Sequence, residues 1–264
     1  MGSILASDDA LQLAERVLAE RYPAAAAGFA AGSFVRGGAT ATSDLDLIVL
    51  FNQLPNAWRE SFVFDRVPID AFVHDPETLR AFFGKDIETG KAAMLTMAVE
   101  GRIVGPDRVR AEAMQAEAVT MLANGPQPLD LPALDHLRYL ITSRIEDLQD
   151  PRPWPEVVAT AAWLHSVLAD FILRANGRWA ATAKWIPRSL AGLDPAIATA
   201  FDVAFADLFE RRDAGTLIGF AEQILVPFGG RLFDGYRAEA NAEERISIPP
   251  SREAAGRRRA NDRG

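Results

Sequence analysis

Two aspartates, Asp44 and Asp46, stand at the start of an apolar segment that runs from Leu45 to Phe51. The segment is short, rich in aliphatic residues and preceded by turn-forming residues, which predicts a buried β-strand. Because side chains alternate between the two faces of a strand, Asp44 and Asp46 are expected on one face and Leu45 and Leu47 on the other, in the core. Aspartate is depleted inside strands, so Asp46 indicates a functional site.

The segment before this strand, Gly32–Ser43, is rich in glycine, serine and threonine and predicts a turn or the start of a short helix. Gly32-Ser33 offers backbone N–H groups and a hydroxyl without a bulky side chain, as the oxygens of a triphosphate require. Two carboxylates two residues apart on a strand can share hard cations such as Mg²⁺, whose charge offsets the repulsion between them. A Ser–Asp pair before a strand is also a common turn or cap, and that alternative would be enough to explain Asp44 alone.

A third carboxylate, Asp70, lies in the next long predicted strand. Ser61–Phe64 and Val67–His74 are expected to form a hairpin about Asp65-Arg66. Asp70 is flanked by apolar residues in that strand, so it is expected to complete a three-carboxylate site, with a purely structural role as the alternative.

Hydrophobic periodicity divides the chain into two parts. In the first part it predicts a helix over Leu11–Tyr22, a strand over Ala25–Ala31, helices from Pro76 and over Lys91–Glu100, and an edge strand over Arg102–Val104. Beyond about residue 110 there is no strand pattern, and four amphipathic stripes predict a helical bundle. The predicted fold class is therefore α+β, with a small mixed β-sheet domain followed by an α-helical bundle.

The expected domains are residues 1–115 and 130–245, with a linker around Gln127-Pro128. Residues 246–264 are rich in arginine and poor in apolar side chains, so they are expected to form a disordered basic tail.

The chain is acidic: its 264 residues include 36 acidic and 28 basic side chains, a net charge of −8. Such a surface disfavours long nucleic acid and suits a cationic or neutral small-molecule partner better.

The absence of cysteine excludes disulfides, Cys-ligated zinc and thiol nucleophiles, and fits a cytoplasmic location. The first residues carry Asp8 and Asp9 and no long apolar run, so neither a signal peptide nor a membrane association is expected. The oligomeric state stays open.

The motif Gly32-Ser33-Phe34-Val35-Arg36-Gly37, followed by Ser43-Asp44-Leu45-Asp46-Leu47, resembles the signature of the DNA polymerase β-like nucleotidyltransferase superfamily. The resemblance covers about residues 10–105. The Arg-Gly pair after Gly-Ser is similar to that of bacterial small-molecule and minimal nucleotidyltransferases. The helical second half is similar in layout to aminoglycoside-type nucleotidyltransferases, in which a helical domain closes the acceptor cleft.

The resemblance implies transfer of a nucleoside monophosphate from a nucleoside triphosphate to an acceptor hydroxyl, with release of pyrophosphate. Asp44 and Asp46 would ligate two Mg²⁺ ions, and Asp70 would be a third metal ligand or the base for the acceptor hydroxyl. Gly32 and Ser33 would hold the triphosphate. ATP is the default donor because of its cellular abundance.

Other polar residues have less specific contexts. In some relatives a glutamate is the base, and three candidates are present: Glu77, Glu88 and Glu100. Arg36 is expected to contact phosphate or to be a solvated surface arginine. Lys184, beside Trp185, is expected either to reach the triphosphate or to lie over the Trp185 ring.

Three classes of function follow. The leading hypothesis is a nucleotidyltransferase acting on a small molecule such as an aminoglycoside-like antibiotic, because an acidic cleft suits a polycation. Modification of such an antibiotic would confer antibiotic resistance. The second is an antitoxin-type enzyme that adenylylates a protein, although such enzymes are usually shorter. The third is a catalytically silent nucleotide-binding module.

Overall fold

The computed structural model describes residues 7–40 and 42–239, so the predicted basic tail at 246–264 lies outside the described residues. Strands are confined to the first part, and helices alone follow, which confirms the predicted α+β class. In chain order the elements are α1 (Ser7–Arg21), β1 (Ala27–Ala31), β2 (Leu45–Leu50), β3 (Trp58–Phe64), β4 (Val67–His74), α2 (Pro76–Thr89), α3 (Ala93–Glu100), β5 (Arg102–Val104), α4 (Arg108–Asn124), α5 (Leu131–Gln149), α6 (Trp154–Ala175), α7 (Ile186–Leu193), α8 (Pro195–Arg211) and α9 (Gly215–Leu225), with short 3₁₀ turns at Ala183–Trp185 and Val226–Phe228. We call residues 7–124 the sheet half and residues 131–239 the helical half.

The five strands form one mixed sheet in the order β3-β4-β2-β1-β5. β2 and β4 run parallel, and every other neighbouring pair is antiparallel. The β3–β4 hairpin turns at Asp65 and Arg66, whose φ angles are 49° and 68°. Positive φ at both central residues is typical of a tight two-residue hairpin turn. The predicted hairpin is therefore present. β5 lies at the other edge of the sheet, as predicted.

The two faces of β2 pack into different cores. Leu45 and Leu47 join the cluster beneath α1, whereas Ile48 and Leu50 join the cluster formed with α2, α3 and α4. Asp46 shares the strand parity of Ile48 and Leu50, so it lies on the face that α2 to α4 cover further along the strand.

Helix α4 belongs to the sheet half. The predicted end of the first domain, residue 115, falls inside this helix, which continues to Asn124. Its buried residues are Ala111, Met114 and Ala118, which pack in the core between the sheet and α2 and α3. Small buried side chains give a helix only a weak apolar stripe, and for that reason hydrophobic periodicity did not reveal α4.

The core of the helical half is built around α6. This helix is long and apolar enough, by length and composition alone, to cross a membrane, and among the described helices it is the one that meets this criterion. Its residues Leu164, Leu168 and Phe171 are fully buried against α5, α7, α8 and α9. Packing inside the helical half therefore accounts for the apolar composition of α6.

One arginine of α6 joins the two halves. The Arg174 side chain is buried; Nη1 donates to the carbonyl of Thr89 at 2.8 Å, and Nη2 donates to the carbonyl of Gln127 at 2.9 Å. Thr89 ends α2, where a cation is favoured by the helix dipole. Gly90 follows with a φ of 72°, and a Cβ there would lie 1.6 Å from Arg174 Nη1. Gly90 therefore provides the space into which Arg174 inserts.

We expect Arg174→Ala to destabilise the protein by about 2–3 kcal/mol, because it removes two charge-assisted hydrogen bonds to the carbonyls of Thr89 and Gln127. The free energy of unfolding from urea denaturation measures this effect. Arg178→Ala is the matched control, since Arg178 is an exposed arginine of the same segment. Equal stability of the two variants would contradict the role of Arg174.

Candidate active site

The three predicted carboxylates come together at one end of the sheet. Asp44, Asp46 and Asp70 each offer an oxygen, and these oxygens lie within 4.8 Å of one another. Asp46 and Asp70 are direct register partners on the parallel strands β2 and β4, so they share one face of the sheet at one level. Asp44 is exposed, Asp46 is half-buried and Asp70 is buried. Parallel pairing thus accounts for the convergence of residues far apart in sequence.

Gly32 lies against this cluster. It follows β1 directly, and the last residue of β1, Ala31, is the register partner of Asp46. Gly32 has a φ of 85°, and a Cβ there would lie 2.3 Å from Asp46 Oδ2. A side chain at this position would collide with the carboxylate, so glycine is required both by conformation and by space. Ser33 follows, and no acceptor within residues 7–40 and 42–239 takes its backbone N–H or its hydroxyl proton.

Asp70 is held by two side chains of β3. Arg59 donates from Nε to Oδ1 at 2.8 Å and from Nη2 to Oδ2 at 2.5 Å, and Ser61 Oγ donates to Oδ1 at 3.1 Å. This contact with Arg59 holds the pKa of Asp70 below its ordinary value. A carboxylate oxygen accepts about two hydrogen bonds, so Oδ1 is saturated and Oδ2 retains one free acceptor site. Asp70 can therefore engage a metal ion or a proton through one oxygen only.

Asp44 and Asp46 differ from Asp70 because no donor among the described residues hydrogen-bonds to either carboxylate. The pKa of Asp46 is raised to about 6, mainly by burial and in the same direction by the charges of Asp44 and Asp70. The opposing charges of Arg36 and Arg59 offset only part of this effect. Three convergent carboxylates with unsatisfied oxygens match the all-oxygen ligand set that Mg²⁺ prefers, so the residues fit a divalent cation.

Arg36 links the turn to the helical half. Its Nη1 donates to Glu100 Oε2 at 2.7 Å, and its guanidinium lies over the ring of Trp185, 4.9 Å from the centroid. A second guanidinium, that of Arg188, lies 5.0 Å from the same centroid. In the described part of the chain the cations over Trp185 are thus arginines. Lys184 is exposed, and among the described residues it makes no cation–π contact with Trp185. Its two expected roles, reaching the triphosphate or covering the ring, stay predictions.

Two residues that hold the site were not found from the sequence. Arg59 and Ser61 are two residues apart on β3, and Ser61 is the register partner of Asp70. The predicted strand began only at Ser61, which left Arg59 outside it. Of the glutamates considered as bases, Glu100 is engaged by Arg36, while Glu77 and Glu88 are exposed on α2 and lie outside the carboxylate cluster.

Comparison with known proteins agrees with this arrangement. Residues 11–93 match the nucleotidyltransferase domain family. This part of the chain is a nucleotidyltransferase domain of the DNA polymerase β-like superfamily. The matched range contains all three carboxylates and the Gly32-Ser33 turn.

A solved structure, a nucleotidyltransferase-like protein from Exiguobacterium sibiricum 255-15, is also similar to this chain. It is 12% identical, the likeness covers 82% of this chain and 74% of that chain, and the TM-score is 0.44. No curated protein matches the sequence. The roles of individual residues in the nucleotidyltransferase domain therefore rest on its own geometry.

The raised pKa of Asp46 predicts a pH-dependent stability for the nucleotidyltransferase domain. Its pKa is about 6 in the folded protein against an ordinary value of 3.8, so the folded state binds the proton more tightly. The resulting stabilisation is complete below about pH 4 and is lost as the pH rises through about 6. We expect Asp46→Asn to raise Tm relative to the parent protein above pH 6, with the difference shrinking towards pH 4.

Thermal melts in EDTA between pH 4 and pH 8 measure this difference, and exposed Asp234→Asn is the control. A Tm difference that does not change with pH would contradict the raised pKa of Asp46.

Proposed function

We propose that this protein transfers a nucleoside monophosphate from a nucleoside triphosphate, with ATP as the donor, to a hydroxyl of a small-molecule acceptor. The observation that carries the proposal is the convergence of Asp44, Asp46 and Asp70 beside the Gly32-Ser33 turn, inside a nucleotidyltransferase domain. In this reaction the acceptor oxygen forms a bond to the α-phosphorus, the bond from that phosphorus to the bridging β-oxygen breaks, and pyrophosphate leaves.

The proposed roles follow from the contacts of each residue. Asp44, Asp46 and Asp70 would hold two Mg²⁺ ions, which supply positive charge to the attacking and leaving oxygens when bound. The backbone N–H and hydroxyl of Ser33 would bind phosphate oxygens, and Gly32 allows the chain to come close to Asp46. Binding both reactants in one orientation would contribute much of the rate.

The proposed role of Asp70 is metal ligand rather than base. Arg59 and Ser61 occupy three of its acceptor sites, and a carboxylate held by a guanidinium is a weak proton acceptor. A proton taken from the acceptor hydroxyl would then pass to solvent or to a group that the acceptor itself brings.

The acceptor is proposed to lie between the two halves. The carboxylates face one side of a single sheet. Ligand sites form preferentially at interfaces between domains, so the acceptor is expected between this face and the helical half. The net charge of −8 and the exposed Asp44 favour a neutral or cationic small molecule, with aminoglycoside-like antibiotics as the first class to test and antibiotic resistance as the corresponding role. A cytoplasmic location is part of the same proposal, since ATP is supplied there.

A screen of acceptors with labelled ATP and Mg²⁺, analysed by mass spectrometry, tests the proposal. We expect a product heavier by one nucleoside monophosphate, together with released pyrophosphate. Asp44→Asn and Asp46→Asn should each lower turnover by about 10²- to 10³-fold or more, because each removes charge that holds the metal ions. Asp234→Asn is the control and should retain full turnover.

Three results would contradict the proposal. Turnover by Asp46→Asn at the parental rate in Mg²⁺ would contradict the metal site. ATP binding that does not depend on Mg²⁺, without transfer to any acceptor, would favour a silent nucleotide-binding module. Labelling of a co-purified protein instead of a small molecule would favour a protein-adenylylating enzyme.

The role of Asp70 is tested separately with Asp70→Asn. As a metal ligand, Asp70 is needed for tight binding, so the variant should bind Mn²⁺ and Mg·ATP more weakly as well as turn over slowly. As a base alone, its loss would leave Mg·ATP binding unchanged and lower turnover by roughly 10²-fold. Isothermal titration calorimetry with Mn²⁺ distinguishes these two outcomes without requiring activity.

A further inference from the structure

A continuous chain of contacts leads from the carboxylates to the helical half. Gly32 touches Asp46, and the backbone N–H of Arg36 donates to the carbonyl of Gly32 at 3.3 Å. The Arg36 guanidinium lies over Trp185 at 4.9 Å, and Arg188 reaches the same ring at 5.0 Å. The side chain of Arg36 thus connects the Gly32-Ser33 turn to Trp185 and Arg188, although these residues are about 150 residues away in sequence.

This group carries an excess of positive charge. Arg36, Lys184 and Arg188 contribute three cations, and the carboxylate that pairs with them is Glu100, on Arg36. Within residues 7–40 and 42–239, no carboxylate lies within salt-bridge distance of Lys184 or Arg188. Two guanidinium groups near one ring repel each other, and the ring quadrupole offsets only part of that repulsion. An anion bound between them would relieve it.

The backbone that presents the ring adopts an unfavourable conformation. Ala183 begins the 3₁₀ turn of Lys184 and Trp185 with a φ of 47°. Positive φ is also found at Asp65 and Arg66, where the hairpin turn requires it. A non-glycine residue in the left-handed region costs conformational free energy and is held there by its surroundings. In this chain the ring of the following Trp185 contacts Arg36.

We propose that Arg36 and Arg188, which both lie over the ring of Trp185, bind the β- and γ-phosphates of the nucleotide, so that both halves of the chain hold the part that leaves as pyrophosphate. This inference rests on the proposed function, because the carboxylates fix the place of the α-phosphorus. A cationic group anchored beyond the Gly32-Ser33 turn is then next to the rest of the polyphosphate. Guanidinium groups suit this ligand because their planar N–H forks match pairs of phosphate oxygens.

In this arrangement Trp185 is a positioning residue, and Arg188 contacts the ligand. The ring holds both guanidinium groups by cation–π contact and keeps them oriented before the nucleotide binds. Arg36 comes from the sheet half and Arg188 from α7 of the helical half, so polyphosphate binding would strengthen the contact between the halves.

The test uses inorganic tripolyphosphate and α,β-methylene ATP with Mg²⁺, because neither requires an acceptor or turnover. Isothermal titration calorimetry measures Kd for the parent protein and for Arg188→Gln, with exposed Arg178→Gln as the matched control. We expect Arg188→Gln to weaken both ligands by about 10-fold, the scale of one charge-assisted contact, while Arg178→Gln binds as the parent does. Arg188→Lys, which keeps the charge but not the fork, should lie in between.

Variants of Trp185 separate positioning from a merely structural contribution. Trp185→Phe keeps an aromatic ring and should retain near-parental affinity, whereas Trp185→Leu should weaken tripolyphosphate binding as much as Arg188→Gln does. Tm values of both variants check that the protein is folded. Tryptophan emission should change when tripolyphosphate binds to the parent protein, and this change should be lost in Trp185→Phe.

The outcomes distinguish this inference from the proposed function. Parental affinity of Arg188→Gln for both ligands would overturn the inference even if transfer activity is found, as would a parent protein that does not bind tripolyphosphate. If tripolyphosphate binds through Arg188 but no acceptor receives a nucleotide, the polyphosphate site stands and the proposed reaction fails.

Discussion

The parallel pairing of β2 with β4 brings Asp46 next to Asp70, and the arrangement of the site follows from this contact between like charges. Two carboxylates at one level of neighbouring strands repel each other strongly unless cations intervene. Among the described residues, the cation that hydrogen-bonds to this pair is Arg59, which donates two hydrogen bonds to Asp70. Asp46 receives no such partner among the described residues, and its pKa is raised first by burial and then by the charges of Asp44 and Asp70. The fold thus favours the binding of a positive ligand at Asp46 and Asp44.

Packing of the surrounding structure offsets the repulsion between these carboxylates. Each face of the sheet is covered by a core, with α1 on one side and α2, α3 and α4 on the other. Burial of these faces fixes the register of β2, because a shift of one residue would turn Asp46 into the core and expose its aliphatic neighbours. Repulsion within the site cannot be relieved by slippage of the strand. The hydrophobic cores therefore maintain an electrostatically unfavourable cluster that a metal ion would stabilise.

Features set by local sequence could be predicted, and features set by contacts between distant segments could not. Strand parity predicted that Asp44 and Asp46 share a face, and turn-forming residues predicted the hairpin at Asp65-Arg66. The structural roles of Arg59 and Arg174 were not predicted, because each depends on a hydrogen-bond partner on another element. No periodicity distinguishes an arginine that will hold a carboxylate from one that will be solvated. Helix α4 was not predicted from periodicity because its buried face consists mainly of alanine.

The two junctions between the halves differ in a way that bears on ligand binding. At Arg174 the guanidinium is buried and pairs with neutral carbonyl groups, so a polyanion would gain little there and the junction would stay closed. At Trp185 the partners are half-buried or exposed, and the contact joins cations to an aromatic ring. A polyanion would act on the contact at Trp185, because Arg188 has no carboxylate partner among the described residues. Nucleotide binding would therefore strengthen the contact between the halves at Trp185 and leave the contact at Arg174 unchanged.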